Sequence, residues 1–161
     1  MAFVSVVVVF VSRLLLVLLF LPFSALDKVL NFNQAVGQAA QAVPRRSLAA
    51  IMILAGLGVE VLMSLGVLTG IADRMAAFVL ALYCIITAML WKQFWKAPGF
   101  RLKGASRGRD VFWDFLKNFA LAGGFLMLAF GASAASLQDF VAHPLASSRP
   151  YSADRGVQHG R

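Results

Sequence analysis

Five residues in otherwise apolar stretches carry the chemistry open to this chain: Arg13, Glu60, Ser64, Arg74 and Asn118. Arg13 and Glu60 each have roughly ten apolar or small residues on either side, too many for either charge to reach water at a bilayer surface. A charge at the bilayer centre costs about 2.5–3.5 kcal/mol on insertion scales, so such residues face a bundle interior and find a partner. One reading is a buried Arg–carboxylate pair that locks helix register and does no chemistry. The other makes Glu60 a proton acceptor or a polar anchor for a small head group such as a quinone. Ser64 stands one helical turn after Glu60 and supplies a hydroxyl to either arrangement. The register lock asks less of the chain and takes precedence.

These residues need helices that cross lipid to position them. The chain has 161 residues, 60% of them hydrophobic and 14% charged. Soluble domains run at about 45–50% apolar and about 25% charged, so a core of this length cannot hide the apolar surface. The net charge of +8 sits in loops between apolar runs, as in the cytoplasmic loops of membrane proteins. No RNA-binding signature, zinc spacing or aromatic–basic interleaving accompanies it, which excludes nucleic acid as the partner. Cys84 is the single cysteine and lies in an apolar run. No intrachain disulfide, CxxC pair or thiolate metal site can form.

Four spans are expected, at residues 3–31, 48–68, 75–95 and 111–130, forming an all-α membrane bundle with antiparallel neighbours and a polar interior pair. The first is longer than the about 20 residues a bilayer needs, and Pro22 either bends it or loosens a turn that Ser24 helps satisfy. It lacks a basic start and a small-x-small site after its apolar run, so it is expected to be retained rather than cleaved as a signal peptide. Residues 32–47 read as an amide-rich loop with one short interfacial helix, and 97–110 as a basic loop. Residues 70–74 make a tight hairpin between spans two and three. Residues 132–161 read as a polar, disordered tail. Lys28, Arg45, Arg46, Lys92, Lys96, Arg101, Lys103, Arg107 and Arg109 flank or occupy the first and third loops. The positive-inside rule places those loops in the cytoplasm and both termini outside.

Counted from the outer ends of straight helices, Arg13 and Glu60 fall at about 14–15 Å depth, which makes an interhelical pair geometrically open. The remaining candidates have plain alternatives. Asp73-Arg74 reads as a solvated turn with a capping carboxylate. Gly66-x-x-x-Gly70 reads as a close-packing device. Asn118 reads as an amide bonded to a neighbouring helix.

The order of these features resembles the DoxX family of small bacterial inner-membrane proteins. The resemblance rests on Arg13, Phe20 and Lys28 in the first helix, on Glu60 followed by glycines in the second, and on Asp73-Arg74-Met75-Ala76-Ala77 at the turn. It continues with Phe94-Trp95 and with Phe115 to Gly124. The chain departs at Asp73, where threonine is usual, and at Lys92, where many members have histidine. A role assigned to that histidine has no counterpart residue here. The resemblance implies a four-helix membrane bundle. Some relatives are linked to quinone-dependent oxidation of sulfur compounds or to membrane redox complexes. Arg13, Glu60, Arg74 and Asn118 carry over as polar positions, none of them as a catalytic residue.

Three function classes follow: a membrane subunit or scaffold of a quinone-linked redox complex, a small transporter or permeability factor, and an assembly protein without activity. No cofactor is expected to be intrinsic, and quinone is the one the resemblance leaves open. The only histidines, His143 and His159, are in the tail, so a bis-histidine haem inside the bundle is excluded. Rossmann and P-loop glycine patterns are absent, and four short spans show no internal repeat of the transporter kind. The expected partners are the lipid bilayer and oxidoreductase subunits, with homo-oligomerisation left open.

Overall fold

A computed structural model describes residues 2–131 and 133–152. Its first span, Phe3–Leu30, is not one regular helix. It comprises α1 (Ala2–Val17), a π-helical segment (Leu19–Ser24) and α2 (Ala25–Leu30). Pro22 sits inside the π segment. Its ring excludes the carbonyl four residues back and it has no N–H to donate, so the wider π turn absorbs what an α turn could not. The chain then breaks at Asn31, with φ −114° and ψ 36°, and folds back as α3 (Phe32–Ala39). Val36 and Ala39 of α3 are buried against Ala49, with Ile53 and Trp91 packed around them. The short interfacial helix expected in this loop is therefore anchored to the bundle.

Helices α4 (Arg46–Thr69) and α5 (Asp73–Trp91) form the hairpin. Gly70 ends α4 in the left-handed region at φ 79°, where a side chain would be strained. A Cβ on Gly66 would meet the Cβ of Ala76 at 2.9 Å, so Gly66 and Gly70 serve this intrachain crossing. Ala77, Leu80, Ala81, Cys84 and Ala88 of α5 are fully buried. That row of mostly small residues lets α5 pack closely with α4 and with α6 (Arg107–Phe130). Ser106 caps α6, accepting from the Arg109 amide at 3.2 Å. The helix consequently starts at Arg107, four residues before the expected span, and takes Arg107 and Arg109 out of the loop.

All described residues are helical or irregular, without strands. Four helices are long and apolar enough to cross a membrane: Phe3–Leu30, Arg46–Thr69, Asp73–Lys96 and Arg107–Phe130. Leu54, Leu62, Ile86 and Met127 are each more than half exposed on their outer faces, a surface that lipid covers at no cost and water does not.

The expected disordered tail is corrected by the structure. Residues Ala134–Ala142 form α7 behind a Ser133–Ser136 capping box, and the chain stays hydrogen-bonded through Ser152. Phe140 packs on Phe78 and Phe130, at 5.7 Å and 5.0 Å between centroids, which gives a polar segment an apolar hold. Residues 153–161 of that tail lie outside the described residues.

Candidate functional site

Two buried polar clusters lie about 10 Å apart along α4. At the hairpin end, Arg13 donates from Nη1 to the Val67 carbonyl at 2.7 Å and pairs through Nη2 with Asp73 Oδ2 at 2.7 Å. Ser148 completes this cluster. Its amide donates to Asp73 Oδ1 at 2.9 Å, and its hydroxyl accepts from Arg13 at 2.8 Å and donates to Asp73 Oδ2. Tyr151 donates to the Leu68 carbonyl. Next to it each Arg74 nitrogen has a partner: Nε reaches the Ala129 carbonyl at 2.9 Å, Nη2 the Ser136 carbonyl at 2.7 Å and Nη1 Asp139 at 2.5 Å. Arg74, chiefly by that hydrogen bond, holds the Asp139 carboxyl below the usual carboxylate range.

Deeper in the bundle, near the middle of α4, stands Glu60, 1% exposed. Its Oε1 accepts from Lys28 Nζ at 2.7 Å, Tyr83 OH at 2.7 Å and Ser24 Oγ at 3.1 Å. Lys28 also donates to Ser24 at 2.6 Å. Each donor arrives by a local feature of the sequence. Ser24 ends the π segment and Lys28 follows four residues later, on the same face. The Tyr83 phenol fits because Gly56 lacks a side chain: a Cβ there would lie 3.1 Å from the Tyr83 oxygen. Glu60 Oε2 and Ser64 Oγ, one turn apart on α4, are buried without a hydrogen-bond partner.

Glu60, Ser24, Lys28 and Tyr83 line a cavity of about 570 Å³ that extends toward the first and third loops. Phe20, Met52, Ile53 and Leu121 supply apolar wall, and Trp91, whose buried Nε1 has no partner, stands near the loop end. The first span and α6 meet above the cavity, where Leu16 touches Gly124 and Phe20 lies 5.8 Å from Phe125. Below that contact α2 and α6 stand on opposite walls, with Asp114 and Lys117 on the α6 side.

The expected Arg13–Glu60 pair does not form. Val67, the contact of Arg13, is seven residues beyond Glu60 on α4, or about 10 Å along the axis. Counting depth from helix ends assumed that α1 and the α4–α5 hairpin finish at one plane. Instead α1 runs on past the hairpin, where Phe10 lies 6.4 Å from Tyr151 of the C-terminal segment. The two charges therefore belong to separate clusters, each with a different counter-ion. Asp73, read as a solvated turn residue, is fully buried. Ser64 lies in the bundle interior but bonds nothing in the protein. Asn118 lines the cavity and donates to the Asp114 carbonyl of its own helix at 2.9 Å, not to a neighbouring helix. Arg74 is buried among backbone carbonyls.

Sequence reasoning reads Asp73 as a solvated cap and Tyr83 as part of a polar seam or a plain intramembrane hydrogen bond, and it leaves Lys28 and Ser24 outside the site candidates. The four-residue spacing of Ser24 and Lys28 was the available signal. The reach of Tyr83 and Asp73 across helices left none.

A conserved-family comparison decides the affiliation: the DoxX family model matches residues 8–93, just over half of the chain. The chain belongs to the DoxX family. No curated protein and no solved structure matches it. The DoxX match takes in Arg13, Glu60, Ser64, Asp73 and Arg74, and with them most of both polar clusters. It ends at residue 93, so the α6 wall of the cavity and the Ser148 contacts lie beyond it.

Proposed function

We propose that this DoxX protein is a membrane subunit of a quinone-linked redox complex in the bacterial inner membrane, with the cavity at Glu60 receiving the quinone head group. Loops 32–47 and 97–110 would face the cytoplasm and both termini the outside, in keeping with the bases in and beside those loops. One observation carries the reading: a carboxylate in the bundle interior, held by three donors on one oxygen and left open on the other, lines a cavity of ligand size. Pockets for small ligands run at about 300–1,000 Å³, apolar with a few convergent polar groups.

The residues present fit a quinone. Its carbonyl oxygens need donors, which the unpartnered Trp91 Nε1 and the remaining N–H of Lys28 provide, and its ring needs the apolar wall from Phe20 to Leu121. A bound quinone supplies two-electron, two-proton chemistry. The chain's own part is to orient the ring, to exclude water above it through the Leu16–Gly124 and Phe20–Phe125 contacts, and to hold or release a proton at Glu60. With histidines only at 143 and 159, electrons come from an oxidoreductase partner.

Extraction in mild detergent followed by quinone analysis tests this. The native protein is expected to retain quinone at close to one per chain and to bring down oxidoreductase subunits. Glu60→Gln, which replaces the carboxylate oxygen open to a quinol hydroxyl, should retain at least about fivefold less of the reduced ring while accumulating normally, as loss of a charge-assisted hydrogen bond implies. A native protein that carries no quinone and binds none when it is added would sink the reading.

A further inference from the structure

The cavity's ionic groups close on one another. Three cations line it, Lys28, Lys92 and Lys117, and three anions, Asp27, Glu60 and Asp114. Lys28 meets Glu60 at 2.7 Å, Lys92 meets Asp114 at 3.1 Å, and Lys117 meets the other Asp114 oxygen at 3.6 Å. Asp27, the third anion, accepts from Asn31 at 2.8 Å. Of the cations, Lys28 is the one held deep, with its side chain 17% exposed against 39% for Lys92 and 73% for Lys117.

We infer that this cavity selects uncharged head groups and rejects anions, and that Glu60 is the residue that sets the rule by consuming the charge of Lys28. The inference rests on the reading of the cavity as the ligand site. An anion entering it meets no free counter-charge at depth. It must displace a tethered carboxylate from Lys28, lose its hydration and lie beside Glu60, each of which costs free energy in a low-dielectric interior. An uncharged quinone ring displaces no tethered carboxylate and still finds the Trp91 Nε1 hydrogen, while the single hydroxyl hydrogen of Tyr83 stays on Glu60. Sulfur oxyanions and anionic lipid head groups are thereby excluded as occupants. If such an anion is the partner's substrate, its oxidation takes place outside this cavity.

Removing the carboxylate should invert the preference. Glu60→Gln preserves the shape of the side chain and leaves Lys28 without its counter-ion, converting the floor of the cavity into an anion site. The experiment measures binding to the full chain in lipid nanodiscs by tryptophan quenching. The probes are a short-chain benzoquinone, the same ring bearing a sulfonate, and sulfate by calorimetry. The native protein is expected to take the neutral ring and to leave the sulfonate and sulfate unbound. In Glu60→Gln the sulfonate-to-neutral affinity ratio should rise at least about tenfold, the scale of one charge-assisted hydrogen bond.

The double variant Lys28→Met/Glu60→Gln removes both charges and should return to rejecting anions. If Glu60→Gln fails to fold, Lys28→Met provides the mirror test, favouring a ring that bears a trimethylammonium group by a similar factor. Equal binding of both rings by the native protein, or an unchanged ratio in the variants, overturns the inference. A native protein that binds neither ring, while sulfate binds to Glu60→Gln alone, upholds the charge rule and overturns the quinone reading.

Discussion

Arg13 and Asp73 form the most demanding contact in the molecule, because both are buried and each is useful only while the other is present. Removing one member of a buried pair strands a charge and costs about 3–5 kcal/mol, whereas removing both is often close to neutral. Arg13→Met is accordingly expected to destabilise the detergent-solubilised protein by about that amount. Arg13→Met/Asp73→Asn should recover most of the loss. Unfolding of both variants in mixed micelles checks this, and additive losses would show that the pair is not a unit. At this scale the sequence was half legible. Arg13 and Glu60 announce themselves because a charge in an apolar run needs a reason. Asp73 does not, since an acidic residue opening a helix after a turn is what a solvent-facing cap also looks like.

Among the elements, α7 and the residues after it hold the hairpin end together, yet they read as disposable. Their composition is polar and alanine-rich, and among the described residues only Phe140 of this segment enters the core. The hold comes from Arg74, whose hydrogen bond keeps Asp139 more acidic than a free aspartate. A carboxyl whose folded pKa is lowered contributes stability that is fully present above its unfolded value of about 3.9 and is lost as pH falls through the lowered value. With His143, 3.7 Å from the other Asp139 oxygen, replaced by Gln, amide exchange in α7 is therefore expected to be independent of pH from neutrality down to about pH 4 once intrinsic rates are removed, and to accelerate below it. Asp139→Asn should exchange at the faster level throughout. A His143→Gln profile with no step on acidification would mean that the apolar contacts of Phe140 hold α7 without help. The π segment is the other element that propensity did not predict. Pro22 announces a bend, but whether the chain kinks or widens depends on what the next turns must reach, here Ser24 and Lys28 reaching Glu60.

For the molecule as a whole, the two ends of the bundle differ in the way the proposed orientation requires. Bases crowd the end with loops 32–47 and 97–110, where Phe94 lies within 5.4 Å of Trp95, Phe100, Phe112 and Phe115 as an interfacial aromatic cluster. The hairpin end carries α7 and the C-terminal segment. In a Cys84→Ala background, Ala146→Cys is expected to react with an impermeant maleimide in intact spheroplasts, and Lys103→Cys only after the membrane is permeabilised. The opposite pattern would invert the proposed topology and place the mouth of the cavity on the other side of the membrane.

Span number, all-helical class and family affiliation were legible in the residues themselves. They rest on local quantities: hydropathy over about 20 residues, turn chemistry at Gly70, and the order of a few polar positions. Which charge meets which was not. That depends on how far α1 slides past α4, and the slide is settled by contacts remote in sequence, Phe10 with Tyr151 and Leu16 with Gly124, and by a π turn that alters the rise between Arg13 and Lys28. Helices that each cross the bilayer satisfy lipid equally well in several registers, so hydropathy alone does not choose among them. Side-chain packing chooses, and in doing so it places Lys28, rather than Arg13, at Glu60.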